Sequence, residues 1–334
     1  MPRPSDPDEN KRRIRECRRD TPGISQAKVA AALDLGLRTV IKWWHWEPAG
    51  GSDPGRSGAP APTDGGRRIV PLPEPAPEAG GPGIPEPQYK PLTALAVDNP
   101  GWHLVLGDIH LPMHDRGTVE AAVREAREKR AAVVLLNGDV MDMLGISPFY
   151  RPPTDDRFVD EVEAAKQFLA WLRQQMPTAR IIWREGNHEF RLKRFVAEKA
   201  PELFDLPCLS LPSLMEFDRH GVEWVADKRK VMLGKLITLH GHEFRKGEGV
   251  NPARLAFLRA TASVLVGHHH RTSEHHQRSL DERHYAVWSV GCACFVHPDY
   301  DPYNQWNHGY AMVEVAADGW FSVHNRRVMN GRVV

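Results

Sequence analysis

From residue 91 to the end of the chain, short uninterrupted apolar runs alternate with longer amphipathic stretches. The runs are 102–107 (WHLVLG), 132–138 (AVVLLNG), 179–186 (ARIIWREG), 235–241 (KLITLHG), 262–268 (ASVLVGH), 284–291 (HYAVWSVG) and 309–315 (GYAMVEV). A strand with one wet face alternates apolar and polar residues, whereas a continuous apolar run of this length is covered on both faces. Between the runs, 117–130 carries Val119, Ala122, Val123 and Ala126 at helical spacing. The stretch 158–176 does the same with Phe158, Val162, Ala165, Phe168, Leu169 and Leu172. Buried strands separated by helices predict a layered α/β sandwich. More antiparallel pairing is expected in the second half, where long helices are missing.

Two other segments precede this one. Residues 48–90 contain 11 Pro and 9 Gly, a composition that cannot bury a core and predicts a tether. Residues 1–47 are helical in pattern, with 10 Lys/Arg against 7 Asp/Glu. The expected domains are therefore 1–47, a linker at 48–90, and 91–334. Across the whole chain 44 Lys+Arg face 43 Asp+Glu, which excludes a polybasic nucleic-acid coat and an acidic tail protein. Four scattered cysteines (Cys17, Cys208, Cys292, Cys294) make no disulfide framework and fit a reducing compartment. No apolar run approaches the ~18 residues that span a bilayer. The start, MPRPSDPDENKRR, has no apolar core of a signal peptide. The expectation is a cytoplasmic protein with no membrane partner.

Polar residues follow five of the strands directly. They are Gly107-Asp108-Ile109-His110, Gly138-Asp139-Val140-Met141-Asp142, Gly186-Asn187-His188-Glu189, His240-Gly241-His242 and Gly267-His268-His269-His270. In open α/β folds ligands collect beyond the carboxyl ends of strands, and glycines let the chain turn there. A lone strand-end Asp is ordinarily a turn former or a helix cap. Five such blocks on one rim remove that reading for Asp108 and Asp139. Carboxylate, imidazole and amide oxygen together suit Mn²⁺, Zn²⁺ or Fe, and are too rich in nitrogen for a Ca²⁺ cage. Seven donors exceed one ordinary site and suffice for two if one carboxylate bridges.

Asp108-x-His110, Gly138-Asp139-x-x-Asp142, Gly186-Asn187-His188-Glu189, His240 and Gly267-His268-x-His270 resemble the five ordered motifs of the calcineurin-like metallophosphoesterases, over about 98–330. The resemblance implies a four-layer α/β/β/α sandwich and a metal-dependent phosphoric ester hydrolase. It implies two divalent ions, Mn²⁺ foremost, with Zn²⁺, Fe or Ni²⁺ as alternatives. Asp108, His110 and His270 would hold the first ion, and Asn187, His240 and His268 the second. Asp139 would bridge them, and His188 would be a non-ligand acid facing the leaving group. Two divalent ions carry four positive charges, of which the two carboxylates neutralise two, leaving a field suited to a phosphoryl group.

Asp142, Glu189, Arg191, His242 and His308 are candidates for orienting ligands or lining the substrate pocket. His242 and His269 read as neighbours of the donors, because strand side chains alternate. Arg191, Lys193 and Arg194 read first as a solvated charged face, with phosphate or nucleic-acid contact as the alternative. Asn304, Trp306, Asn307 and His308 form a polar-aromatic loop. Residues 247–252 read as a loop entering a helix at 253–260. His275, His276, His284, His297 and His308 have no motif and read as solvated or satisfied. Cys292-Ala-Cys294 lacks zinc-finger spacing and reads as strand packing close to the site.

In the first segment 8–19 predicts a basic helix, and Ser25 caps a second helix carrying Val29, Ala30 and Leu33. The run Ser25-Gln-Ala-Lys-Val-Ala-Ala-Ala-Leu followed by Arg38-Thr39-Val40-Ile41-Lys42-Trp43 resembles a helix-turn-helix of the phage-repressor or transposase type. Where that motif often has Gly in the turn, this chain has Asp34, with Gly36 two residues on. The resemblance implies a recognition helix at 37–46 whose Arg38, Thr39, Lys42 and His45 meet DNA. The alternative is a small bundle that docks a protein.

The sequence therefore predicts a nuclease-like phosphodiesterase, with a phosphoester substrate and DNA as partners. A small-molecule phosphatase or cyclic-nucleotide phosphodiesterase is the enzyme alternative. A DNA-binding or scaffold protein with an inert sandwich is the non-enzyme alternative.

Overall fold

The computed structural model describes residues 7–21, 24–35, 37–44, 85–89, 91–149, 157–226, 228–244 and 251–334. The expected tether, apart from 85–89, lies outside the described residues, as do His45 and positions 247–250. The chain divides into two units, Met1–Ile84 and Pro85–Val334. No helix among the described residues is long and apolar enough to cross a membrane.

The described residues of the first unit form three helices, α1 (Pro7–Asp20), α2 (Gln26–Leu33) and α3 (Leu37–Trp43). Ile14, Val29 and Val40, one from each helix, are fully buried together, with Ala30 beside them. Ser25 caps α2 by accepting the Lys28 backbone N–H at 3.4 Å. Asp34 takes the left-handed conformation (φ 53°, ψ 47°) that glycine usually supplies, and its N–H is donated to the last carbonyls of α2. Short polar side chains tolerate that conformation better than most, so the turn forms without glycine. Two of the basic residues of α1 serve the unit itself. Arg13 donates to the Leu33 carbonyl at 3.2 Å, and Arg18 donates to the Trp44 carbonyl and lies over its ring.

The second unit begins with β1 (Ala94–Val97) and β2 (Gly101–Leu106), followed by α4 (Arg116–Glu128), β3 (Val133–Leu136), α5 (Phe158–Gln175), β4 (Arg180–Arg184) and α6 (Phe190–Lys199). Two single turns, α7 (Leu211–Leu214) and α8 (Phe217–His220), lead to β5 (Val222–Val225), β6 (Lys230–Leu233) and β7 (Leu236–Leu239). Then come α9 (Pro252–Ala260), β8 (Val264–Val266), β9 (Ser273–Arg278), β10 (His284–Ser289), β11 (Gly309–Val315), β12 (Phe321–Met329) and β13 (Arg332–Val333). Helix starts follow local chemistry. Asp115 accepts the Thr118 N–H at 2.7 Å to open α4, and Asn251 accepts the Arg254 N–H at 2.9 Å to open α9.

One sheet has the order β13-β12-β11-β2-β3-β4-β5, and the other β1-β6-β7-β8-β10-β9. β2 to β5 are mutually parallel, as the buried apolar runs and intervening helices require. Antiparallel pairs β6–β7, β9–β10 and β11–β12 fall in the second half. β7, β8 and β10 nevertheless remain parallel, with α9 supplying the crossover between β7 and β8.

Period-two alternation divides each central strand between two cores. Val105, Val133, Leu135 and Ile182 face Val231, Leu233, Leu265 and Trp288 between the sheets. Leu104, Leu106, Val134, Leu136 and Trp183 face the other way, packing with Val119, Ala122 and Val123 of α4 and Leu169 and Leu172 of α5. Ala253 and Ala256 of α9 cover Val264, Val266 and Val287 on the far side. The result is helix, sheet, sheet, helix. Leu135 is 0% exposed at the middle of the stack, where truncation to Ala costs about 2–5 kcal/mol.

Candidate metal centre

The five polar blocks meet at one end of both sheets. Main-chain bonds stitch them together. The N–H groups of Asp108 and Ile109 are donated to the carbonyls of Gly138 (3.0 Å) and Asp139 (2.8 Å), and that of Gly267 to His240 (2.7 Å). The Asp108 carboxylate accepts the His268 N–H at 2.9 Å, which ties the end of β2 to the end of β8 across the two sheets.

Tight approach explains two glycines. A Cβ at Gly186 would collide with the Asp139 carboxylate, and one at Gly138 (φ +87°) would lie 2.6 Å from His240 Nδ1. The donors themselves show an unusual backbone. Asp108, Asp139, His110, His268 and His270 all have φ between 50° and 68°. Non-glycine residues seldom enter that region, and each costs about 1–3 kcal/mol unless its surroundings fix it. Five together at one rim mark a place where geometry is held against local preference.

The donors form two lobes. In one, Asp108 Oδ1 lies 3.2 Å from His270 Nε2, which lies 3.3 Å from His110 Nε2. In the other, His240 Nε2 lies 3.1 Å from Asp139 Oδ2 and 3.2 Å from Asn187 Oδ1, with His268 beside them. Asp139 belongs to both lobes, since its carboxylate also groups with Asp108 and His110.

The electrostatics call for cations. Both carboxylates are buried, and Asp108 Oδ1 has no hydrogen-bond partner. Burial alone would raise their pKa values, but the imidazoles around them prevail. His270 and His240 bring Asp108 down to about 2, and His240 and His188 hold Asp139 well below the usual range. In return Asp139 and Asp108 overcome the burial of His240 and raise it to about 10. Partial burial and the neighbouring His240 push half-buried His268 down to about 3. Protons on imidazole thus balance carboxylate charge in a pocket whose every donor type is a metal ligand. An orphaned carboxylate oxygen among nitrogen donors fits two divalent ions.

The supporting residues divide sharply. Asp142 Oδ1 lies 2.8 Å from His110 Nδ1 and 3.3 Å from His188 Nδ1. His188 Nδ1 is 2.6 Å from the Asp142 carbonyl, which can only accept, so that nitrogen carries the proton. Nε2 then accepts from Arg191 at 2.9 Å. Burial opposes charge on His188, but Asp139 and Asp142 outweigh it and raise its pKa. Glu189 is buried and accepts the N–H groups of Asp139, Val140 and Gly186 at 2.9, 2.7 and 2.8 Å. His242 stands next to His240 and His268, its Nδ1 without a hydrogen-bond partner.

Residues 103–303, more than half of the chain, match the family model of the calcineurin-like phosphoesterases. The chain belongs to that family. No curated protein matches it by sequence. Among solved structures, vacuolar protein sorting 29 of Cryptosporidium parvum aligns at 13% identity over 71% of this chain and 96% of its own, with a TM-score of 0.38. The Yfce phosphoesterase of E. coli aligns at 16% identity over 67% and 98%, with a TM-score of 0.32. Vps29 of Chaetomium thermophilum aligns at 11% identity over 70% and 95%, with a TM-score of 0.34.

One expectation for this family member needs correction. Arg191 does not belong to a solvated face. It reaches back to the Asp142 carbonyl at 2.9 Å and to His188, whereas Arg194 pairs with Glu198 one turn along the exposed side. Cys294 packs close to the site. Its Sγ lies 3.9 Å from His270 Nδ1, so it backs a donor imidazole. His308 stays outside the donor cluster and hydrogen-bonds the Cys294 carbonyl at 2.9 Å, holding that loop. Trp306 of the same polar-aromatic stretch packs edge-on against His270, ring centroids 4.2 Å apart. Asn304 and Asn307 are spent on loop carbonyls and Thr272. The loop's sequence shows aromatic and amide residues, but not which one turns inward.

Proposed function

We propose that the 85–334 unit is a metal-dependent phosphodiesterase acting on nucleic acid. The observation that carries this reading is the convergence of seven donors from two sheets into two lobes that share Asp139. Asp108, His110 and His270 would hold one ion, and Asn187, His240 and His268 the other. Bound there, two divalent ions supply Lewis acidity toward phosphoryl oxygens. The remaining work belongs to side chains of the chain. Asp142 fixes the His188 ring through its carbonyl and carboxylate. Arg191 donates to a substrate phosphoryl oxygen, a charge-assisted contact. That leaves His188 Nε2 free to take a proton and pass it to the departing alkoxide, a transfer worth about 10²–10⁴ in rate. Trp306 and Tyr300, ring centroids 6.2 Å apart, flank the opening beside His270.

Nucleic acid is favoured over a small phosphomonoester by the first unit. Its α2–turn–α3 arrangement leaves Arg38 and Lys42 exposed on the third helix, where a recognition helix would meet DNA. A Pro/Gly-rich tether between the units would raise the local concentration of substrate without transmitting a packed rearrangement.

The test is elemental analysis of gently purified protein alongside turnover of bis(p-nitrophenyl) phosphate, p-nitrophenyl phosphate, cyclic nucleotides and DNA with Mn²⁺. About two transition-metal ions per chain and chelator-sensitive diesterase activity are expected. Asp139→Asn should lose metal and turnover together. Turnover that survives chelation would overturn the reading.

A further inference from the structure

A groove of about 580 Å³ is lined by Asn187 and His242 together with Phe190, Leu92, Lys228 and Lys230. Its volume falls in the about 300–1,000 Å³ range of small-ligand sites. We propose that this groove binds a second phosphoryl group of the substrate, neighbouring the one hydrolysed, with the intervening nucleoside lying against Phe190. The proposal rests on the phosphoesterase reading above and adds the chemistry that distinguishes substrates at that same site.

Charge and exposure carry the argument. Lys228 and Lys230 are exposed, and neither forms an ion pair among the described residues; Asp227, which precedes them, lies outside those residues. The two carboxylates that line the groove are not available to neutralise them. Glu243 is committed to the fully buried Arg184, and Glu185 is only 9% exposed. Among the described residues the groove's accessible charge is therefore positive, and a lysine ammonium binds phosphate as a point charge. The apolar wall is Phe190, 45% exposed, and Leu92, 73% exposed. A groove that reaches the donor Asn187 and also carries an exposed aromatic side chain and two exposed ammonium groups offers phosphate, nucleoside and phosphate contacts to a nucleotide chain. Base–aromatic stacking adds affinity whatever the base, because every base has a π-face. A substrate with one phosphoryl group would leave the lysine end of the groove unused.

Calorimetric titration of the metal-loaded full-length protein with thymidine 5′-phosphate, thymidine 3′,5′-bisphosphate and a thymidine tetranucleotide tests this. The bisphosphate is expected to bind about tenfold more tightly than the monophosphate, the size of one charge-assisted contact. The advantage should shrink with added salt and disappear in Lys228→Glu/Lys230→Glu. Phe190→Ala should weaken both nucleotides. If the tetranucleotide shares the advantage, the second phosphate is that of a nucleic-acid backbone; if only the bisphosphate does, it is that of a free nucleotide. Turnover of bis(p-nitrophenyl) phosphate should be kept in the lysine variant, and its absence in the wild type counts against the phosphoesterase reading alone. Equal affinity of the wild type for monophosphate and bisphosphate, or an advantage retained in the lysine variant, overturns the proposal.

Discussion

One carboxylate oxygen of Glu189 accepts the backbone N–H of Asp139 at 2.9 Å and that of Gly186 at 2.8 Å. A single buried side chain thereby clamps the loop that carries Asp139 to the loop that carries Asn187 and His188. Glu189→Gln would turn an amide donor toward one of these N–H groups. Metal affinity is expected to fall about 10–100-fold, as for other groups that orient metal ligands. Stability should fall by about 1–3 kcal/mol, the cost of a buried group left unsatisfied. Metal titration and urea unfolding read the two effects. Unchanged metal affinity would mean that the clamp does not position the donors.

His188 is held by Asp142 and Arg191 and lies outside the two donor lobes. His188→Ala should therefore keep both ions and lose about 10²–10⁴ in rate. The loss should be large for alkyl leaving groups and small for p-nitrophenolate, which departs without a proton. An empty metal site in this variant would show that the imidazole is a ligand.

Far from the centre, Glu125 on α4 accepts the Tyr310 hydroxyl at 2.6 Å and Arg326 Nη2 at 2.8 Å, with its side chain 15% exposed. Burial pushes its pKa up, but the hydrogen bonds from Arg326 and Tyr310 outweigh burial and hold it below the usual value. The ionised form is thus the one that favours folding. Its contribution is complete above the unfolded pKa of about 4.3 and is lost as pH falls through the lower folded value. Glu125→Gln should cost about 1–2 kcal/mol at neutral pH. Denaturant titrations repeated at descending pH should show the gap between variant and wild type closing as pH falls below the unfolded pKa of about 4.3. A gap independent of pH would exclude this linkage.

Removal of residues 1–90 should leave metal content and turnover of a small diester nearly unchanged while weakening binding to long DNA. The salt dependence should flatten by about 0.9 in log–log slope for each DNA phosphate that the first unit neutralises. Arg38→Ala/Lys42→Ala should reproduce the effect in the full chain. Fluorescence anisotropy at low salt decides the matter, because equal affinities for full and truncated protein would leave the first unit without a DNA role.

The strand-end blocks are legible in the sequence because apolar run, glycine and polar donor are contiguous, so each can be read locally. The layer order is legible for the same reason: burial on both faces of β2, β3 and β4 is written into their composition. What the sequence does not display depends on distant neighbours. Arg191 and Arg194 sit one helical turn apart with the same charge, yet one is drawn in by the Asp142 carbonyl and the other is paired on the outside. Cys294 lies 24 residues from the imidazole that it backs. The left-handed backbones of Asp108, His110, Asp139, His268 and His270 leave only a faint mark on residue type, since Asp and His enter that region more readily than most residues but none is a glycine. Asp34 is the same case in miniature, a turn whose usual residue is missing although its conformation is kept.

The origin of the donors has one further consequence. Asp108, His110, Asp139 and Asn187 follow strands of one sheet, while His240, His268 and His270 follow strands of the other. Neither lobe can be completed by a chain in which only one sheet has formed. Ion binding would then discriminate docked from undocked sheets, and by mass action each hundredfold excess of ion over its dissociation constant would add about 2.7 kcal/mol to the docked form. A slip of one layer against the other would be felt first as a loss of metal, so the centre doubles as a gauge of how completely the two halves of the sandwich have come together.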